Sequence, residues 1–270
     1  MIDVLLATCR PNKVWMEEQI DSIRAQRDVE TSLIIRDDAD MEGPCANFNA
    51  LLKMSTADYA AFSDQDDVWD QYKLAKMMSA MAKMESDCGR DMPILVFCDS
   101  FVTDTALHRL PGRFMSRRGI NVKSGMRIER LLMQNFIPGN TMLLNAALRE
   151  KVGDIPDAAI MHDYWVALVA ASFGRIAFVD EPLVLYRQHG GNVISADARS
   201  GSLADFKEKL RRNVLQANAF LRRYGEESPE CVQVLARIDE RSWFGRRFAI
   251  LRHGLLKQGL LRNLGVMAVI

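Results

Sequence analysis

The chain has 270 residues and balanced charge, with 35 Lys/Arg against 35 Asp/Glu, and about half of its residues are hydrophobic, enough for one large α/β domain with an appendage or for two small domains. Its five cysteines (Cys9, Cys45, Cys88, Cys98, Cys231) are odd in number, widely spaced and without a CxxC pair, which excludes a disulfide framework or a zinc site. No apolar run approaches the roughly 18 residues that span a bilayer, and the early entry into Val4-Leu5-Leu6-Ala7 without a basic leader argues against secretion, so a reducing cytosol is expected.

Ile2 to Ala7 predicts a buried strand, Thr8-Cys9-Arg10-Pro11-Asn12 a loop, and the spacing of Trp15, Met16, Ile20 and Ile23 a helix through about Gln26. Ser32 to Arg36 is the second predicted strand and ends on Asp37-Asp38. Beyond the loop at Gly43-Pro44 come a helix over Ala46 to Met54 and a third strand over Tyr59 to Ser63. This β-α-β-α-β order predicts a parallel sheet with crossover helices, and in such sheets ligands gather beyond the carboxyl ends of the strands. Lys73 to Met84 predicts a helix whose Leu74, Met77, Met78, Met81 and Met84 form a stripe of core filler. Ile94 to Cys98 is a further strand ending at Asp99, followed by a basic stretch from Arg109 to Arg127 and a helix near Ile128–Gln134. Past a turn at Ile137-Pro138-Gly139-Asn140, Thr141 to Leu144 predicts a strand and Ala146 to Val152 a short helix. A helix opens at Met161-His162-Asp163-Tyr164-Trp165 and runs to about Ser172, with Asp163 near its positive end. Two last strands are expected, over Ile176 to Val179 and Leu183 to Arg187, ending in Arg187-Gln188-His189-Gly190-Gly191-Asn192.

Asp64-Gln65-Asp66-Asp67 stands out, because three carboxylates in four positions at the end of a buried strand repel one another unless a positive charge lies between them. A hard divalent cation satisfies such a set best. The stretch is not a calcium loop, since Val68 and Trp69 stand where an oxygen ligand and the turn glycine belong. Nor does His162-Asp163 suit a metal phosphohydrolase of the HD type, which needs more histidines than the four present and an all-helical scaffold.

The ordered set of Thr8, Asp37-Asp38, Asp64-Gln65-Asp66-Asp67-Val68-Trp69, Pro138-Gly139-Asn140, His162-Asp163-Tyr164-Trp165 and Tyr186-Arg187-Gln188-His189 resembles the family 2 glycosyltransferases of the GT-A fold over about residues 2–195. Within that family it is most similar to bacterial rhamnosyltransferase-like enzymes that build O-antigen, capsule or other surface polysaccharides. The resemblance implies a nucleotide-diphospho-sugar transferase fold over residues 1–200, α/β with a mostly parallel central sheet flanked by helices, and a basic helical extension over 201–270. It implies inverting transfer from a dTDP- or UDP-sugar, with dTDP-L-rhamnose leading, to a growing glycan carried on a lipid, assisted by Mn²⁺ or Mg²⁺; no nucleic-acid partner is expected. On this resemblance Asp37 meets the pyrimidine base and Thr8 the nucleoside, with Arg10 and Asp38 beside them. Asp64 and Asp66 occupy the outer positions of the DxD motif, Asp66 as the direct metal ligand, and Asp67 supports sugar or ribose contacts. Asp163 matches the general base on the acceptor hydroxyl, with His162 where the family more often has glutamate; Gly139, Asn140, His162 and Trp165 face the acceptor. Arg187 and His189 belong to a segment that closes over the diphosphate, with His189 in reach of the metal. The chemistry agrees: a diphosphate leaving group gathers charge that a cation stabilises, and the attacking hydroxyl needs one carboxylate to take its proton.

Two other readings stay open. A sugar-nucleotide nucleotidyltransferase shares such a sheet but requires a Gly-rich basic loop after the first strand, and Thr8-Cys9-Arg10-Pro11 has no glycine. A membrane-recruited binding module that lost activity is disfavoured by the intact Asp64, Asp66 and Asp163.

Charge is unevenly divided. Residues 203–270 carry 13 Lys/Arg against 7 Asp/Glu, a net of +6, which leaves −6 on the rest; from Arg241 to the end there is no acidic residue. In this tail Trp243-Phe244, Phe248, Ile250-Leu251, Leu255-Leu256, Leu260-Leu261 and Leu264 alternate with arginines. The pattern fits either a basic amphipathic element on an anionic membrane surface, which would make the protein peripheral on the inner face of the cytoplasmic membrane, or a helical hairpin packed on the catalytic domain.

Overall fold

The computed structural model of the protein describes residues 1–190 and 202–270. The strands β1 (Ile2–Thr8), β2 (Thr31–Asp37) and β3 (Tyr59–Ser63) alternate with helices α1 (Lys13–Arg24) and α2 (Pro44–Met54), giving the predicted β-α-β-α-β opening. β1 pairs in parallel with both neighbours, Val4 lying opposite Leu33 on one side and Ala61 on the other. The chain continues through β4 (Val68–Trp69), α3 (Lys73–Cys88), β5 (Ile94–Thr103), β6 (Arg109–Arg113) and the short helices α4 (Phe114–Arg117), α5 (Val122–Gly125) and α6 (Ile128–Leu131). A 3-10 turn at Gly139–Thr141 leads into β7 (Met142–Asn145), α7 (Ala146–Val152), α8 (His162–Phe173) and β8 (Arg175–Arg187).

The strand order is β2-β1-β3-β7-β5-β8-β4, with β6 attached to β5. The sheet is therefore mixed, which corrects the expectation of a mostly parallel one: β7 runs antiparallel to both β3 and β5. The cause is topological. After β5 the chain turns back through β6 and three short helices, and β7 enters between β3 and β5 in the opposite direction, Met142 lying opposite Phe97. The two strands expected over 176–179 and 183–187 are one 13-residue strand, β8, whose pairing with β5 slips between Val179 and Pro182, where proline has no N–H for the ladder. β3 and β7 are buried along their whole length because helices cover both faces, so both read as unbroken apolar runs. The methionine stripe of α3 is core as expected, with Leu74, Met77 and Met81 fully buried.

The last helices are α9 (Leu203–Tyr224), α10 (Glu230–Ala236), α11 (Trp243–Arg252) and α12 (Leu260–Val269). α8 is buried for nine consecutive residues because it lies between the sheet and α9: Trp165 meets Phe220 at 5.4 Å and Phe173 stacks on the same ring at 5.8 Å. Apolar residues of α9 to α12 and of the sheet form one continuous core. The boundary expected at 200/201, like Gly191-Asn192, lies outside the described residues. No helix among the described residues is long and apolar enough to cross a membrane.

Gly174 joins α8 to β8 at a point where a Cβ would stand 1.9 Å from the Pro93 carbonyl oxygen. Backbone cannot give way as a flexible side chain does, so Gly174→Ala should lower stability by about 2–3 kcal/mol in urea unfolding; a change below a few tenths would contradict that crowding.

Candidate active site

The turn from β3 to α3 is held by a polar face of α1. Gln19, fully buried, donates from Nε2 to Ser63 Oγ at 2.6 Å, and Ser22 Oγ accepts the Trp69 N–H at 3.1 Å. Gln26, just past the helix, donates to the Asp70 carbonyl and accepts the Leu74 N–H. Buried polar groups persist when paired, so these bonds fix where the acidic turn points. The apolar stripe of α1 points to its inner face, but Gln19 and Ser22 carry no local signal of burial. Gln65 ties the same turn to the loop after β1, accepting the Cys9 N–H at 2.8 Å and donating to the Cys9 carbonyl at 3.2 Å.

The three carboxylates do different things. Asp64 faces the cavity, and burial together with Asp67 and Asp66 raises its carboxyl well above the ordinary range. Asp66 meets His189, Oδ2 to Nε2, at 2.5 Å, and the His189 ring lies 5.0 Å from that of Trp15. Asp67 is fully buried, accepts from Asn140 Nδ2 and from the Arg187 N–H, and is pushed up to about 7, chiefly by burial. Behind them Lys73, also fully buried, donates to the Asn140 carbonyl at 2.7 Å and sits 3.2 Å over the Trp69 ring. Burial pulls this ammonium down to about 7, against the opposing pull of Cys98, Asp67 and Asp64.

Thr8, Asp38, Asp64, Asp66, Gly139, Asn140, His162 and Asp163, predicted from separate segments, share the wall of one cavity of about 440 Å³. Phe48, Phe114, Met161 and Tyr186 complete it and were not foreseen. Asp37 stands behind Thr8, whose Oγ1 donates to it at 2.8 Å, while Asp38 accepts the N–H groups of Glu42 and Gly43 and so shapes the loop before α2. Arg10 is exposed at the rim with φ of +46°. Gly139 leaves room for an imidazole: a Cβ there would stand 2.6 Å from His162 Nε2. The His162 ring stacks on Phe48 at 3.9 Å, both ring nitrogens lack a partner, and burial holds the ring neutral by pulling it down to about 3. Asp163 Oδ1 is likewise unpartnered, and burial raises this carboxyl to about 7 against the Tyr164 and Gly139 amides and the Asn135 side chain.

Six expected contact residues do not line that cavity: Arg10, Asp37 and His189 lie outside its wall, as do Trp165, Arg187 and Asp67. Trp165 is buried against α9, since two positions along a helix from Asp163 turn it about 200° away. Arg187 follows the cavity-lining Tyr186 in a strand and so points to the other face; it is buried and donates to the Asp66 carbonyl, to the Thr105 carbonyl and to Glu18 Oε2. Asp67 braces the turn from within. Arg187 and Asp67 meet the site through their hydrogen bonds to Asp66 and Asn140.

The profile of the family described as Glycosyl transferase family 2 matches residues 16–150, half of the chain. The chain belongs to glycosyl transferase family 2. The dTDP-rhamnosyl transferase RfbG of Shigella flexneri is 25% identical over 244 residues, covering 77% of this chain and 78% of that relative. The fold is that of GT-A glycosyltransferases. TarS 1-349 of S. aureus, in complex with UDP-GlcNAc, superposes with a TM-score of 0.52 at 14% identity, covering 94% of this chain and 92% of that one. The mannosyltransferase PcManGT of Pyrobaculum calidifontis, in complex with GDP-Man and Mn2+, gives 0.52 at 15% identity over 99% and 78%.

In this family 2 glycosyltransferase no group of three or more His, Cys, Asp or Glu side chains among the described residues is arranged to hold a metal by itself. Asp66 and His189, paired with each other, are side chains of the kinds that ligate divalent cations, and a cation there would need further ligands from phosphate oxygens and water.

For Asp64, Asp67 and Asp163 the folded-state pKa lies above the unfolded value of 3.8, so between the two the native state binds more protons. Stability of the metal-free protein should therefore fall as pH rises from about 4 to about 7. Thermal midpoints measured across that window should show the decline, with a shallower slope in Asp163→Asn; an unchanged slope would remove Asp163 as a source.

Proposed function

We propose that this glycosyltransferase is an inverting, metal-dependent enzyme that moves a sugar from a nucleotide-diphosphate donor, dTDP-L-rhamnose first among them, to a growing lipid-linked surface glycan. One observation carries the reading: Asp66, which pairs with His189, and Asp163, whose Oδ1 is unpartnered, come from separate motifs yet line a single cavity. The similarity to a dTDP-rhamnosyl transferase over most of both chains supports the choice of donor, and the apolar wall of Phe48, Phe114 and Met161 suits the methyl of a 6-deoxy sugar.

In this scheme the donor's base and nucleoside lie against Thr8 and Asp37, with Arg10 at the rim. Asp64 and Asp66 face the diphosphate, and Asp66 with His189 would hold Mn²⁺ or Mg²⁺, which would neutralise charge on the departing diphosphate. Arg187 keeps Asp66 in place through its main chain. Asp163 takes the proton of the acceptor hydroxyl as its oxygen forms a bond to the anomeric carbon and the carbon–oxygen bond to the diphosphate breaks. A carboxyl held near 7 can both exist as the base at neutral pH and accept that proton. Neutral His162 and the free Asn140 Oδ1 offer a donor and acceptors to sugar hydroxyls beside it. Asp67 orders Asn140 rather than touching the sugar.

A thermal-shift panel of dTDP-L-rhamnose and UDP-sugars with and without Mn²⁺ should show metal-dependent stabilisation by the cognate donor. Asp66→Ala should lose that shift and all turnover. Asp163→Asn should keep the shift and lose transfer by at least about a hundredfold. Transfer surviving in Asp163→Asn would place the base elsewhere, and full activity in Asp66→Ala would end the metal role.

A further inference from the structure

α11 and α12 turn an apolar stripe away from the protein. Phe244, Phe248 and Leu251, spaced for one helical face, are 78%, 65% and 60% exposed, and Trp243 is 56% exposed beside them. On α12, Leu260, Leu261 and Leu264 are 77%, 78% and 57% exposed. The opposite faces are seated: Ala249, Ile250 and Val266 are buried, and Gly265 lies so close to Phe206 of α9 that a Cβ would stand 2.7 Å from its ring. Arg247 links the two helices by donating to the Met267 carbonyl at 2.8 Å. The stripe is thus a fixed feature of a packed hairpin, and seven large apolar side chains this exposed within 22 residues exceed what a solvated surface ordinarily carries.

Charge selects the occupant. From residue 241 onward there is no carboxylate side chain, and Arg241 and Arg252 are exposed; on the adjoining end of α9 the exposed Lys207 and Lys209 alternate with exposed Asp205 and Glu208. Arg247 lies 3.7 Å over the Trp243 ring at the edge of the stripe. A second copy of the face would bring cation against cation, whereas Trp, Phe and Leu ringed by Arg and Lys suit the head-group layer of an anionic bilayer. We propose that the α11–α12 face is an in-plane membrane anchor, inserting Trp243, Phe244, Phe248, Leu260, Leu261 and Leu264 among anionic lipids. The hairpin also touches the active-site wall: Gln258 accepts the Asn121 N–H at 2.7 Å, and Arg262 reaches the carbonyl of Arg118, which closes α4, the helix whose Phe114 lines the cavity. Anchoring therefore sets that wall beside the bilayer, a corollary that rests on the proposed lipid-linked acceptor; the anchor itself does not.

The test uses the full chain and vesicles of phosphatidylcholine alone or mixed with phosphatidylglycerol. The protein should sediment with the mixed vesicles and shift its Trp emission to shorter wavelength, a shift missing in Trp243→Phe. The combined Phe244→Glu, Phe248→Glu and Leu261→Glu variant should bind at least about tenfold less, with its thermal midpoint and donor-induced shift unchanged. Sedimentation with neither vesicle, equal binding of wild type and variant, or equal binding to neutral and anionic vesicles would overturn the proposal. A concentration-dependent dimer, lost in the variant and formed without vesicle binding, would reassign the face to self-association. Donor binding is read separately, so failure here leaves the catalytic reading standing.

Discussion

Three carboxylates within four residues at the end of a buried strand are the constraint around which this structure is arranged. Burial first, and one another's charge second, raise the affinity of Asp64 and Asp67 for protons. The fold separates them by direction. Asp67 turns inward and is satisfied by Asn140 and the Arg187 amide, Asp66 turns toward His189, and Asp64 is left to the cavity. Lys73 supplies the one buried ammonium behind the set among the described residues, and it does so through the Asn140 carbonyl and the Trp69 ring rather than by a direct ion pair with a carboxylate. The cluster thus directs Asp64 and Asp66 at the cavity while hydrogen bonds hold Asp67 inside.

Asn140 is where the two ends of the site meet. Its amide nitrogen holds Asp67, its main-chain carbonyl holds Lys73, and its side-chain oxygen is buried without a partner in a residue that shares the cavity wall with Asp163. The 3-10 turn that carries it has Gly139 in front of His162, so the close approach of turn and helix depends on the missing side chain. A shift of this turn would therefore move the acidic cluster and the start of α8 together. That coupling gives a physical reason for the Pro-Gly-Asn order, since the three residues contribute differently. Pro138 accepts from Thr141, Gly139 yields space and Asn140 connects.

Most of what was legible in the sequence lies at strand ends. Thr8, Asp64 and Asp66 follow apolar runs short enough to be strands, and a parallel opening sends all such ends to one side. What was not legible depends on direction rather than position. Trp165 adjoins the Asp163 motif but a helix carries it to the other face, and Arg187 adjoins Tyr186 but a strand does the same. Gln19, Ser22 and Lys73 were unreadable for another reason: each is polar, sits in a helix with no distinguishing neighbour, and is buried only because distant segments converge on it. Between Asp104 and Arg127 no element was foreseen, and that stretch folds into one strand and two four-residue helices, too short to leave a pattern.

The C-terminal helices extend the same logic to the far side of the sheet. α8 is apolar on every side, so it can place His162 and Asp163 at its first turn only if something covers its outer face, and α9 provides that cover through Phe220 and Tyr224. α12 in turn packs on α9 through Gly265, and Arg262 and Gln258 return to the wall of the cavity. Helices needed only as cover would bury their apolar faces and expose polar ones. α11 and α12 bury a narrow face and expose a wide apolar one, so their sequence answers to a second, outer environment as well as to the core.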